Sequence, residues 1–258
     1  MKRSANLEML FTEVPFEERF QKAKDAGFDA VEFAGWLQKD MKQVKQATEA
    51  ADIKIAAFTG DEPYSPIDPA QQDDYIAHVA RSAELAAELG CGLLVTHSNA
   101  LGEEGQILCA YPDLSYDKKL LTMYDTYRRL IPVLERTGVS VLVEAISRTE
   151  HPGVFMDHVD MAATIVETIA DPHIRLLCDI YHMQANGGRL VESLRRYRDL
   201  IGHIHFADVP GRHEPGSGEI CFSALARCLE EIGYQGMVGF ALHPSGSSAQ
   251  AVQAIMRA

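Results

Sequence analysis

The feature that most constrains this chain is a rhythm repeated eight times, in which a short β-branched or apolar run is followed by a longer amphipathic segment. The runs fall at 3–10, 30–33, 54–58, 92–96, 140–144, 174–179, 203–206 and 237–242, and predict strands. The amphipathic stretches at 16–26, 40–51, 69–89, 116–137, 157–169, 190–200, 223–232 and 248–256 predict helices. Gly27, Gly90, Gly138 and Gly233 each stand just past a helical stretch, where a left-handed cap suits glycine. No hairpin signal separates the runs, so the strands must be parallel and joined by helical crossovers. Eight such units close into a (β/α)8 barrel, and 258 residues is the usual size of one, which predicts a single domain over 1–258. The competing architecture, an open doubly wound sheet, would be expected to carry a Gly-x-Gly-x-x-Gly turn after the first strand, and none is present.

Composition narrows the function classes. Apolar residues make up 47% and charged residues 24%, which fits a large folded core and excludes disordered and fibrous classes. Lys and Arg total 24 against 37 Asp and Glu, a formal charge of −13 spread along the chain, which opposes a phosphate-backbone partner and predicts no nucleic acid. Five widely spaced cysteines, Cys91, Cys109, Cys178, Cys221 and Cys228, predict reduced core thiols rather than a disulfide framework. With no leader or membrane span in the sequence, they place the protein in the cytoplasm. Homo-oligomer formation is compatible with all of this.

Several predicted strands end in titratable residues. Glu144 closes Val141-Leu142-Val143-Glu144, Asp179 closes Leu176-Leu177-Cys178-Asp179, and His203 and His205 alternate in the seventh run. A carboxylate at the end of an apolar strand must be paired, hydrogen-bonded or metal-bound. A capped structural carboxylate accounts for any one of them. Three on neighbouring strands instead point to a divalent metal site, Mg²⁺ or Mn²⁺ first, with Co²⁺ and Zn²⁺ as further fits. His205 lies nearer the strand end than His203 and is the better ligand, leaving His203 one layer deeper as a core histidine. His182, on the loop after Asp179, is placed to meet a substrate oxygen. Arg212, in the Gly- and Pro-rich loop after the seventh run, offers a planar fork for a carboxylate. The long loops 60–68 and 98–115 follow strand ends and would wall the same face.

These residues resemble the hydroxypyruvate isomerase family, within the xylose-isomerase-like group of metal-dependent TIM barrels that also includes ketose 3-epimerases. The likeness spans nearly the whole chain and is carried by Ser4-Ala5-Asn6-Leu7, Met9-Leu10-Phe11, Gly27-Phe28-Asp29-Ala30-Val31-Glu32-Phe33, Val143-Glu144, Asp179-Ile180-Tyr181-His182-Met183-Gln184, Gly202-His203-Ile204-His205, the segment Arg212-His213-Glu214-Pro215-Gly216-Ser217-Gly218-Glu219-Ile220, and Gly233-Tyr234-Gln235-Gly236. It implies a metal held by Glu144, Asp179 and His205, a small sugar-acid substrate, and interconversion of hydroxypyruvate and tartronate semialdehyde through an enediolate. In that scheme Glu144 is also the acid–base group, and His182 and Arg212 orient the substrate.

One element departs from the family pattern. Where the family's eighth strand carries a second ligating Glu followed by Tyr, this chain has Ala241-Leu242-His243-Pro244. A methyl can neither ligate nor exchange protons. Three outcomes stay open: another base, His243 or Glu219, serves an isomerase or an epimerase of a longer sugar; the metal site survives with an open position and catalyses a different step; or the pocket binds a sugar acid without turning it over.

Overall fold

Parallel strands four to six residues long are stable only when both faces are covered. In this computed structural model all eight pair in parallel and close in chain order, β1 against β8. The structure describes residues 1–102 and 105–258, so residues 103 and 104 of the expected 98–115 loop lie outside the described residues. The strands are β1 Lys2–Asn6, β2 Ala30–Phe33, β3 Lys54–Thr59, β4 Leu93–Thr96, β5 Ser140–Glu144, β6 Ile174–Asp179, β7 Ile201–His205 and β8 Met237–Phe240. The helices are α1 Phe16–Asp25, α2 Met41–Ala51, α3 Gln72–Glu88, α4 Tyr116–Thr137, α5 Val159–Ile169, α6 Ile180–Ala185, α7 Leu190–Arg196, α8 Phe222–Glu231 and α9 Ser248–Ile255. The four glycines expected after helices all take positive φ, between 68° and 90°.

The expected elements are present with local corrections. β1 ends at Asn6 instead of running to Leu10, because the Asn6 side chain accepts from the Glu8 amide at 3.0 Å and its carbonyl from the Leu10 amide at 2.9 Å, which turns the chain. Leu7 and Leu10 stay buried, which is why they mimicked a strand. β8 stops at Phe240, and beyond it the His243 amide donates to the Arg212 carbonyl at 2.8 Å. β7 starts two residues early, at Ile201. Gly202 there looks like a breaker but clears space, since a Cβ would lie 2.6 Å from Arg175 and 2.7 Å from Leu142. The unexpected element is α6, where a loop was predicted: Asp179 caps it by accepting from the His182 amide at 3.1 Å. All five cysteines are free, but Cys109 and Cys221 are exposed, so the expectation of core thiols is corrected for these two.

Side-chain alternation organises the interior. The main core fills the space between strands and helices, and a separate small cluster, Ala57, Val95, Leu142 and Leu177, comes from β3 to β6. Two residues further along β5 and β6 stand Glu144 and Asp179, and two residues beyond Val95 stands His97. Period-2 alternation puts each on the same strand face as its apolar predecessor. The small cluster is thus a dry floor directly beneath a polar layer at the strand ends. Leu177→Ala is expected to cost about 2–5 kcal/mol by opening a cavity in that floor. Urea denaturation checks this; a cost below about 1 kcal/mol would mean the floor is not tightly packed.

Candidate active site

The polar layer gathers side chains from β5, β6 and β7 and from His97, just past β4. His205 Nδ1 lies 3.6 Å from Asp179 Oδ2 and 3.9 Å from Glu144 Oε1. The three side chains expected to share a cation therefore do converge, and all are buried. Glu144 Oε2 is 3.1 Å from His97 Nε2, and His97 is in turn gripped by Asp61, which accepts from the His97 amide at 2.5 Å and faces its Nδ1 at 3.4 Å. His97 and Asp61 were not singled out in the sequence, though His97 closes Leu94-Val95-Thr96-His97 with the same apolar-run-then-polar signature as Glu144. Asp61 comes from the 60–68 loop, and the Ala100 amide donates to Ser65 Oγ at 2.8 Å, tying the two expected wall loops together.

Burial governs the charges here. Burial alone would discharge the His97 ring, but Asp61 and Glu144 hold it protonated with a pKa of about 10. His205 is likewise desolvated, yet Glu32, Asp179 and Glu144 keep it charged, again with a pKa of about 10. Burial pushes the Asp179 carboxyl upward, but His182, Arg212 and His205 overcome it and hold the group well below the usual carboxylate range. Glu144 is lowered by His97 against both its burial and the neighbouring Asp179. Burial lowers His182 to about 4 despite Asp179, so that ring is neutral.

Hydrogen bonding separates the two histidines that could ligate. Glu144, Asp179 and His182 offer atoms within 4.8 Å of one another. However, His182 Nδ1 accepts from the Ser147 amide at 3.1 Å, which leaves the proton of the neutral ring on Nε2, 3.9 Å from Asp179 Oδ2. In this state His182 is a donor. His205 is the reverse case: its Nε2 is 2.8 Å from Glu32 Oε2, and its buried Nδ1 has no hydrogen-bond partner among the described residues. A buried nitrogen that makes no hydrogen bond and faces two carboxylates suits a divalent cation that displaces its proton. The donor set of two carboxylates and one imidazole fits Mg²⁺, Mn²⁺, Co²⁺ or Zn²⁺ alike.

The remaining expected residues divide. Arg212 reaches the site from a loop organised by buried Asp208, whose carboxylate accepts from the amides of Val209, Gly216, Gly218 and Ile220 at 2.9–3.0 Å. Its Nη2 donates to Asp179 Oδ2 and its Nε to the Ala241 carbonyl, both at 3.0 Å, and its guanidinium lies 5.4 Å from the Tyr181 ring centre. The fork thus bridges β6 to the segment after β8. His182, expected on a loop, is buried inside α6. His243 sits exposed at the rim, where partial desolvation, Arg212 and His213 lower its pKa and favour the neutral ring. Glu219 is exposed and accepts from Gln184 Nε2 at 2.9 Å; the structure does not join it to the Glu144, Asp179 and His205 cluster by any hydrogen bond or ion pair among the described residues. Glu150, not foreseen, accepts from the Tyr181 hydroxyl beside His182.

A closed parallel barrel with this polar layer at its strand ends defines a class, and the chain belongs to the xylose isomerase-like TIM barrel family, whose profile matches residues 20–258. It is 30% identical to the hydroxypyruvate isomerase of Escherichia coli, with 93% of each chain covered. It is 28% identical to the 2-oxo-tetronate isomerase of Pectobacterium atrosepticum, over 96% of this chain and 94% of that one. A solved structure described as an AP endonuclease, family 2, from Brucella melitensis superposes with a TM-score of 0.87 at 28% identity, covering 97% of this chain and 96% of that one. The family resemblance read from the sequence is borne out. Among the described residues no helix is long and apolar enough to cross a membrane.

The charge states have a measurable consequence in metal-free protein. His182 titrates near 4 when folded and near 6.5 when unfolded, so the unfolded chain binds the extra proton between these values and stability falls as pH drops through that window. His97 and His205 titrate near 10 when folded, so their contribution is complete below about 6.5 and is lost as pH rises toward 10. Urea midpoints in chelator are expected to peak near pH 6.5 and to fall at both about 5 and about 9. A midpoint that stays level from 6.5 to 9 would contradict the two protonated rings.

Proposed function

We propose that the chain is a small sugar-acid isomerase that interconverts hydroxypyruvate and tartronate semialdehyde with a divalent metal, Mg²⁺ or Mn²⁺, held by Glu144, Asp179 and His205. The observation that carries this reading is the approach of His205 Nδ1 to Asp179 Oδ2 and Glu144 Oε1, at 3.6 and 3.9 Å, in a buried layer. The names of the E. coli and P. atrosepticum relatives support the same chemistry. When bound, the metal would supply Lewis-acid stabilisation of negative charge on the substrate oxygens.

The chain's own residues supply the rest. Glu144 takes a proton from C3 of hydroxypyruvate, and the C–H electron pair becomes the C2–C3 double bond of an enediolate with charge on O2. The same carboxylate returns the proton to C2, while the O3 hydroxyl proton passes to O2 and O3 becomes the aldehyde oxygen. His182 presents its Nε2–H toward the substrate oxygens. Arg212, already inside the layer, pairs with the substrate carboxylate.

The β8 side favours isomerisation over epimerisation. Moving a proton between adjacent carbons on one face needs one base, whereas inverting a carbon needs an acid–base group on each face. Gly239 on β8 and Ala241 just past it provide none from that side, and Glu144 lies on β5. His243 is the group that an epimerase reading would recruit from that side.

Purified protein with Mg²⁺ or Mn²⁺ is expected to convert hydroxypyruvate to tartronate semialdehyde, and Glu144→Gln to lower kcat by about 10²–10⁴. Rates equal to buffer across Mg²⁺, Mn²⁺, Co²⁺ and Zn²⁺ would remove the isomerase reading. A chiral four-carbon 2-keto-3-hydroxy acid is expected to isomerise without forming its C3 epimer. Appearance of the epimer, abolished in His243→Ala, would favour the epimerase instead.

A further inference from the structure

Beneath the candidate metal ligands lies a second buried cluster that the mechanism above does not use. Glu32, on β2, is enclosed by Ser4 on β1, by His203 and His205 on β7, and by Gly239 on β8. Its Oε1 is 2.8 Å from His203 Nε2 and also accepts from the Ser4 hydroxyl, while its Oε2 is 2.8 Å from His205 Nε2. An ionised carboxylate can only accept, so both ring nitrogens facing it must carry hydrogen. Nε2 of His205 is therefore committed downward, and Nδ1 is the nitrogen left to face Glu144 and Asp179. The two imidazoles stand edge to face, 5.1 Å apart at 88°, so the His203 ring also limits rotation of the His205 ring.

The strand between β7 and β1 makes room for this arrangement. A Cβ on Gly239 would lie 2.3 Å from Glu32 Oε1 and 2.8 Å from His205 Cδ2, and Gly239 pairs in register with both His205 and Ser4. Any side chain there would displace either the carboxylate or the ring. The glycine, the carboxylate and the second histidine thus act on one variable, the direction of His205 Nδ1.

We propose that Glu32, anchored by Ser4 and His203, is a positioning residue that fixes the His205 ring with Nδ1 aimed at Glu144 and Asp179, so that Nδ1 is the ligating atom. Glu32 touches neither substrate nor metal and acts through His205. A carboxylate behind a ligating imidazole sets both its tautomer and its basicity, and losing such a partner typically weakens metal binding about 10–100-fold. This role rests on the metal reading of the site, and the experiment separates the two.

Chelator-stripped protein is titrated with Co²⁺, following visible absorption and the imidazole contribution to the Co X-ray absorption spectrum. Wild type is expected to bind one Co²⁺ with one histidine ligand. Glu32→Gln, whose amide places a donor where an acceptor stood, is expected to bind about 10–100-fold more weakly with a reduced imidazole signal. The unfolding midpoint of each metal-free variant reports whether its fold is intact. Ser4→Ala keeps the carboxylate and both rings but frees Glu32 from β1; it is expected to weaken Co²⁺ in the same direction by a smaller factor, and it decides the matter should Glu32→Gln not fold. A folded Glu32→Gln protein, or in its place Ser4→Ala, with wild-type Co²⁺ affinity and spectrum overturns the role of Glu32 alone. Failure of wild type to bind Co²⁺ overturns the metal reading and this role together.

Discussion

The carboxylates of Glu32, Asp61, Glu144 and Asp179 are buried together around one layer of this barrel, and the site is arranged around answering them. An unpaired buried charge would cost several kcal/mol, so each is met by a cation or a set of donors. Glu32 takes two imidazoles and a hydroxyl, Asp61 and Glu144 share His97, and Asp179 receives Arg212 and the His182 amide. The apolar floor of Ala57, Val95, Leu142 and Leu177 closes the layer from beneath on the β3 to β6 side, while Glu32 and His203 stand level with it, in register with Ala57 and Leu177. Stability and chemistry are coupled here: the groups that neutralise the carboxylates are the ones a metal and an anionic substrate would have to rearrange.

Much of this was legible in the sequence because a parallel barrel writes its site at fixed places. Strand ends are where apolar runs stop, and Glu144, Asp179 and His205 could be read there directly. Their convergence follows from closure, which the eight-fold rhythm already implied. His97 was missed even though it obeys the same rule; it falls one residue past β4, and Thr96-His97-Ser98 reads as the opening of a loop. Asp61 and Glu150 were illegible for a physical reason: they are loop residues whose positions are set by turns and tertiary hydrogen bonds, not by strand period. The helix carrying His182 was hidden because six residues show too little periodicity, and its start is fixed by a cap that is also a site residue. Glu32 lay in plain view on β2, but nothing local says that a carboxylate there will face two histidines 171 and 173 residues away.

Arg212 gives the β8 departure its physical meaning. Its fork reaches the Ala241 carbonyl and Asp179 together, so positive charge stands beside the position where the family pattern has a negative one. The loop that delivers it is wound around the Asp208 carboxylate through four backbone amides, and Arg212 itself takes a left-handed φ of 56°. A residue held in that region is set by its surroundings rather than by its own preference.

The missing side chain at Gly239 has a consequence for anyone reshaping this pocket. Because the hollow it leaves is already filled by Glu32 and the His205 ring, β8 has no slack at that depth, and bulk can be added only from Ala241 outward. Reshaping the pocket from the β8 side therefore begins at Ala241, one step above the glycine.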